Sequence, residues 1–145
     1  MYNASKHAIN GFVRSLAPLE ARLGIRVAAV APGVVKTPLW TDHEEKLKAV
    51  GSGDGWVSAA DVAAVMVALV ERDEVGDVIA ENAAGGAKIV IRGGSILEVS
   101  KGRVRDVQAF DDPGPGDRVG NMTSNMWKLE EEVWSALDMK GWGAL

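Results

Sequence analysis

Tyr2-Asn3-Ala4-Ser5-Lys6-His7-Ala8-Ile9-Asn10-Gly11-Phe12-Val13-Arg14-Ser15-Leu16-Ala17 is followed, after Gly24, by Ile25-Arg26-Val27-Ala28-Ala29-Val30-Ala31-Pro32-Gly33-Val34-Val35-Lys36-Thr37-Pro38-Leu39. Ile9, Phe12, Val13, Leu16, Leu19 and Leu23 recur at helical spacing, which predicts an amphipathic helix from about Tyr2 to Arg22. Pro18 interrupts that pattern; an interior proline costs about 3 kcal/mol and should kink or divide the helix. Gly24 is a helix stop. Ile25 to Ala31 is an apolar run with a single charge, Arg26, and it ends at Pro-Gly, which suits a buried parallel strand. Ligands of open parallel sheets sit beyond the carboxyl ends of the strands, so Pro32 to Thr37 stands where a ligand would lie.

On a helix, Tyr2 and Lys6 share one face, four residues apart. A phenol, with a reference pKa of about 10, is a poor base near neutrality. An adjacent ammonium favours the phenolate and makes such a group usable in proton transfer. The same spacing also describes an exposed aromatic–lysine pair, so the neighbouring residues decide between the two.

Those neighbours carry a resemblance. The Tyr-x-x-x-Lys helix with its Ala-Ser-Lys-His-Ala context, the strand after it and the Pro-Gly-x-x-x-Thr loop occur together and in order, as in the short-chain dehydrogenase/reductase family. Ala-Ser-Lys-His-x-Ile-x-Gly-Phe-x-Arg-Ser looks most like the subgroup that contains NAD-dependent 15-hydroxyprostaglandin dehydrogenase. The resemblance is specific from Tyr2 to Leu39, weaker to about Val99, and absent beyond. It implies an α/β fold, the C-terminal part of a Rossmann-type doubly wound parallel sheet, here with an added C-terminal helix. It further implies an oxidoreductase moving a hydride between NAD (NADP not excluded) and a secondary alcohol or its ketone. Tyr2 would exchange the hydroxyl proton. Lys6 would steady the tyrosine's charged form and bond the nicotinamide ribose. The backbone of Val35 and the hydroxyl of Thr37 would meet the nicotinamide carboxamide, with Pro32 and Gly33 shaping the turn. The family's glycine-rich pyrophosphate turn and upstream serine have no counterpart in the sequence. The expectation is therefore a C-terminal portion, inactive by itself; the alternative is a non-catalytic dimerisation or interaction module.

The chain has 145 residues, 47% hydrophobic and 25% charged, with a net charge of −4 and no cysteine. One globular domain is the prior at this size. Disulfides and thiolate metal sites are excluded, and a net negative charge argues against nucleic acid as a main partner. No apolar run reaches membrane-spanning length and no signal-peptide pattern is present, so a cytoplasmic protein is expected. The two histidines, His7 and His43, make no metal site. Phe12 and Leu16 are candidates for a homo-oligomer contact through the Tyr2–Arg22 helix, or for packing on the sheet.

Leu39 to Val57 mixes charges with Gly51-Ser52-Gly53-Asp54-Gly55-Trp56, and in the family this region closes over substrate. Leu39, Trp40 and Trp56 either line an apolar substrate pocket or pack in the core or within that lid. Ser58-Ala59-Ala60-Asp61 is a near capping box opening a helix to about Val70, buried through Val62, Val65, Met66 and Leu69. Ala87 to Ile91 reads as a second apolar strand closed by Gly93-Gly94. Ile96 to Val99 and Arg103 to Val107 read as a hairpin about Ser100-Lys101-Gly102. Residues 1–110 are assigned to the α/β domain and 111–120 to a linker, with Asp111-Asp112-Pro113-Gly114-Pro115-Gly116-Asp117 as its turn-rich part. Residues 121–145 are assigned to a terminal amphipathic helix and tail, with Met122, Met126, Leu129, Val133 and Leu137 on one stripe and Trp127 and Trp134 on an adjacent face.

Overall fold

The computed structural model describes residues 1–48, 50, 55–75, 88–110 and 126–139. The chain divides into two units, Met1–Gln108 and Ala109–Leu145. Gly51 to Asp54, Ala87, the Asp111–Asp117 linker and Met122 lie outside the described residues.

In the first unit, helix α1 spans Tyr2–Ser15 and α2 spans Pro18–Leu23. The division falls where Pro18 placed it. Having no N–H, Pro18 cannot serve the Arg14 carbonyl, which accepts from Ala17 N–H instead, at 3.1 Å. Its fixed φ then suits the first position of α2. Gly24 ends α2 in the left-handed region, φ +68°, its N–H donating to the Glu20 carbonyl at 3.0 Å.

Strand β1 is Ala29–Pro32, later and shorter than the expected Ile25–Ala31. Its partner strand begins only at Ile96, after the Gly93-Gly94 turn, so the ladder starts after Val27 has accepted a bond from Gly94 N–H at 2.8 Å. Arg26, upstream of it, has its guanidinium engaged by Glu20 and Asp73. β1 pairs in parallel with β4 (Ile96–Ser100), Val30 opposite Leu97, and β4 pairs antiparallel with β5 (Arg103–Asp106), Val99 opposite Val104. The sheet order is β1-β4-β5. This is a mixed α/β fold with a parallel strand pair, consistent with a Rossmann-type sheet, and β4 with β5 forms the expected hairpin.

Helices α3 (Pro38–Thr41) and α4 (Glu44–Leu47) are single turns after β1. Helix α5 spans Ala59–Glu71, with Ser58 Oγ accepting from Ala60 N–H at 3.1 Å. Its buried face is Val65, Ala68 and Leu69, with Val62 alongside. Met66 is not on it: one residue turns a helix by about 100°, which swings Met66 away from Val65 and leaves it 55% exposed. The second apolar strand is only Ile89–Val90 (β3). It pairs antiparallel with Glu74–Val75 (β2), outside the β1-β4-β5 sheet.

The core collects Val57, Val65, Ala68, Leu69, Val75, Ile91, Leu97 and Val99 between α5 and the sheet. In the second unit, α6 spans Met126–Met139, with Leu129 and Val133 exposed. No helix among the described residues is long and apolar enough to cross a membrane.

Candidate functional site

The Lys6 ammonium stands 5.3 Å from the centroid of the Tyr2 ring, within cation–π range. Both belong to the exposed N-terminal half of α1. Ser5, between them, donates its hydroxyl to the Tyr2 carbonyl at 2.7 Å. The pair therefore meets on one helical face, as the four-residue spacing requires.

The other end of α1 is fixed to the sheet. Arg14 donates through Nη2 to the carbonyls of Val107 and Gln108, at 2.9 and 3.0 Å. Val107 N–H in turn donates to Ile96 at the start of β4, at 2.8 Å. Gly94 packs against Ala17 at the α1–α2 junction. These contacts put the C-terminal end of α1 at the amino ends of the parallel pair β1 and β4. A helix of this length rises roughly 20 Å, so Tyr2 and Lys6 stand well away from that anchor.

The Pro32–Thr37 segment leaves the carboxyl end of β1. Gly33 N–H donates to the Val99 carbonyl at 2.9 Å, closing the last β1–β4 pair, Pro32 opposite Val99. Val35 then forms an isolated parallel bridge with Val57. The two bonds of that bridge run from Val57 N–H to the Val34 carbonyl (2.9 Å) and from Lys36 N–H to the Val57 carbonyl (3.0 Å). Backbone groups alternate sides along an extended segment, so Val35's own N–H and C=O point away from Val57. Thr37 is the N-cap of α3, half-buried, and its side chain makes no capping bond. A backbone donor, a backbone acceptor and an uncommitted hydroxyl thus follow one another along the loop. That donor set fits a carboxamide such as nicotinamide's, which needs one acceptor and one donor partner.

The structure joins Tyr2 with Lys6, and it sets Pro32, Gly33, Val35 and Thr37 along one loop. No hydrogen bond or ion pair among the described residues links the two groups. Beside β1, a groove of about 330 Å³ is lined by Ala28, Val30 and Pro32 together with Val62, Met66, Leu69 and Val70 of α5. Of the residues assigned from sequence, only Pro32 reaches it.

Trp40 and Trp56 meet edge to face, with ring centroids 6.3 Å apart and planes at 76°. Leu39 is 63% exposed. The tryptophans therefore pack on each other. Two contributors were not assigned a role from the sequence. Val57 has no chemical signal at all. Arg26 did have one, as the lone charge of an apolar run, and it proves to be a hub bonding Glu20, Asp73 and the Arg72 carbonyl. Its hydrogen bond to Glu20, with one from Gly93 N–H, holds the Glu20 carboxyl below the usual range; the same Glu20 and Asp73 bonds raise Arg26. His43 pairs with Glu45 at 3.2 Å. Among the described residues no three histidines, cysteines or carboxylates are grouped as metal ligands would be.

Residues 1–48 match the family model described as short chain dehydrogenase. The chain is 52% identical over 54 residues to a glucose 1-dehydrogenase of Gluconobacter oxydans, covering 35% of this chain and 20% of that protein. It is 39% identical over 77 residues to a short-chain dehydrogenase/reductase homolog of Bacillus subtilis, covering 51% and 59% respectively. It is 51% identical over 53 residues to a chloroplastic NADPH-dependent aldehyde reductase of Arabidopsis thaliana, covering 35% and 18%. The match spans less than two thirds of each of these relatives. No solved structure gives a significant match.

Proposed function

We propose that this chain carries the proton-transfer pair and the nicotinamide end of a short-chain dehydrogenase/reductase acting on a secondary alcohol or its ketone. One observation supports this reading above the others. The loop after β1 turns Val35's N–H and C=O away from its only bridge, next to a Thr37 hydroxyl not spent on its helix cap. The C-terminal end of α1 lies at the amino ends of β1 and β4, and in this reading the rest of the helix brings Tyr2 and Lys6 toward the end that this loop leaves.

In this reading the nicotinamide cofactor supplies the hydride chemistry. Val35 and Thr37 bind and orient its carboxamide. Pro32 and Gly33 shape the turn. Tyr2 exchanges the proton of the substrate hydroxyl through its phenol oxygen. Lys6 holds the ribose and keeps a positive charge beside the tyrosine. The reading prefers NAD on the subgroup resemblance, although one relative is named as NADPH-dependent. It includes inactivity of the chain by itself, because the glycine-rich pyrophosphate turn and the catalytic serine are not among its motifs.

A titration of the purified chain with NADH and with NADPH, followed by nicotinamide fluorescence, tests the reading. Saturable binding at or below about 1 mM, the upper range of ordinary substrate affinities, is expected. No binding, with a dimer by light scattering, would favour the second reading, an interaction module paired through α1. That alternative has its own support: Ile9 and Phe12 sit one turn apart on α1 and are 48% and 63% exposed.

A further inference from the structure

We propose that Val57 is the positioning residue of the nicotinamide loop, acting through its backbone on Val34 and Lys36 and through its side chain on Gly33. The inference rests on the function proposed above and deepens it. Val57 touches the loop in three ways. Its N–H holds the Val34 carbonyl at 2.9 Å, and its carbonyl takes the Lys36 N–H at 3.0 Å, so both flanks of Val35 are fixed. Its Cγ2 lies 3.3 Å from where a Cβ of residue 33 would be, so the side chain fills the space that the glycine leaves. At 1% exposure, Val57 belongs to the same buried cluster as Val65, Leu97 and Val99.

The consequence is directional. Two consecutive peptide groups are tied to Val57, and the Val35 N–H and C=O between them are thereby turned to the opposite side. Thr37 follows immediately, with α3 starting at Pro38. The Gly33–Val99 bond fixes the beginning of the loop and Val57 fixes its middle. A displaced Val57 would leave the donor and acceptor of Val35 in place chemically but wrongly aimed, and misplacement of this kind can cost orders of magnitude in function.

The test compares Val57→Ala with Val65→Ala, which removes the same atoms from the same core at a residue that makes no backbone bridge to the loop. Gly33→Ala crowds the same contact from the loop side and serves if Val57→Ala does not fold. NADH affinity should fall roughly tenfold or more in Val57→Ala and Gly33→Ala and stay near wild type in Val65→Ala. Amide hydrogen exchange at Lys36 and Val57 should speed up in the first two variants only. Equal affinities in Val57→Ala and Val65→Ala would overturn the proposal, as would unprotected Lys36 and Val57 amides in the wild-type chain. If the wild-type chain takes up no NADH, the function reading falls, and the exchange comparison still decides whether Val57 holds the loop. Protection lost in Val57→Ala and kept in Val65→Ala supports the clamp, and protection lost in both removes it.

Discussion

Gly94 faces Ala17 so closely that a Cβ on the glycine would lie 2.9 Å from the alanine methyl. Gly94 also has φ +84°, a conformation that other L residues adopt at a cost. The neighbouring Gly93 is tighter still, with the Ala17 carbonyl 2.7 Å from its absent Cβ. The Gly-Gly turn therefore lets the α1–α2 junction settle onto the start of β4, and so sets the direction of the helix that bears Tyr2 and Lys6.

Gly94→Ala should destabilise the fold by about 1–3 kcal/mol, through overpacking together with left-handed strain. Urea unfolding monitored by circular dichroism reads this directly. A change within a few tenths of a kcal/mol would mean that the junction is not seated as described.

The Arg26 hub makes stability depend on acid. Glu20's folded-state pKa lies below its ordinary value, first through the Arg26 hydrogen bond and then through Gly93 N–H. Its contribution is therefore complete at neutral pH and is lost as pH falls below the ordinary glutamate range and through the lowered value. Arg26→Met should lower the unfolding midpoint at pH 7 and should also flatten the fall expected as pH drops from about 6 to about 3. Parallel pH curves for the two proteins would contradict this assignment.

Trp40 and Trp56 join α3 to the segment that carries Val57. A double-mutant cycle with Trp40→Ala and Trp56→Ala should give a coupling of about 0.5–1.5 kcal/mol in unfolding free energy, the range of edge-to-face aromatic pairs. Additive effects would show that the rings do not support each other.

Phe12 is 63% exposed, so Phe12→Glu should change unfolding free energy by no more than about 0.5 kcal/mol. If α1 pairs two copies, the same substitution should convert a dimer to a monomer in sedimentation. An unchanged mass would set aside the α1 interface.

Local signals in the sequence were legible. Pro18 and Gly24 acted where they stood, Ser58 capped α5, and the four-residue spacing brought Lys6 to Tyr2. Long-range pairings were not legible. Whether Ile89–Val90 meets β1 or β2 depends on partners remote in sequence, and an apolar run does not encode its neighbour. The start of β1 moved because its partner β4 begins only at Ile96, after the Gly93-Gly94 turn, and Met66 lost its buried place because one residue of helix turns it away from the face of Val65, Ala68 and Leu69. In the candidate site, Val35 and Thr37 were visible as motif positions. The Val35–Val57 bridge was not, since it joins backbone atoms whose residue types say nothing about pairing.

The most direct measurement is an amide chemical-shift map of the labelled chain titrated with nicotinamide mononucleotide, which carries the nicotinamide end without the adenosine. Saturable shifts confined to Val35, Lys36, Thr37 and the Tyr2–Lys6 turn, abolished by Thr37→Val together with Lys6→Ala, are predicted. No saturable shift at these positions, or shifts that cluster elsewhere and survive both substitutions, would contradict the account.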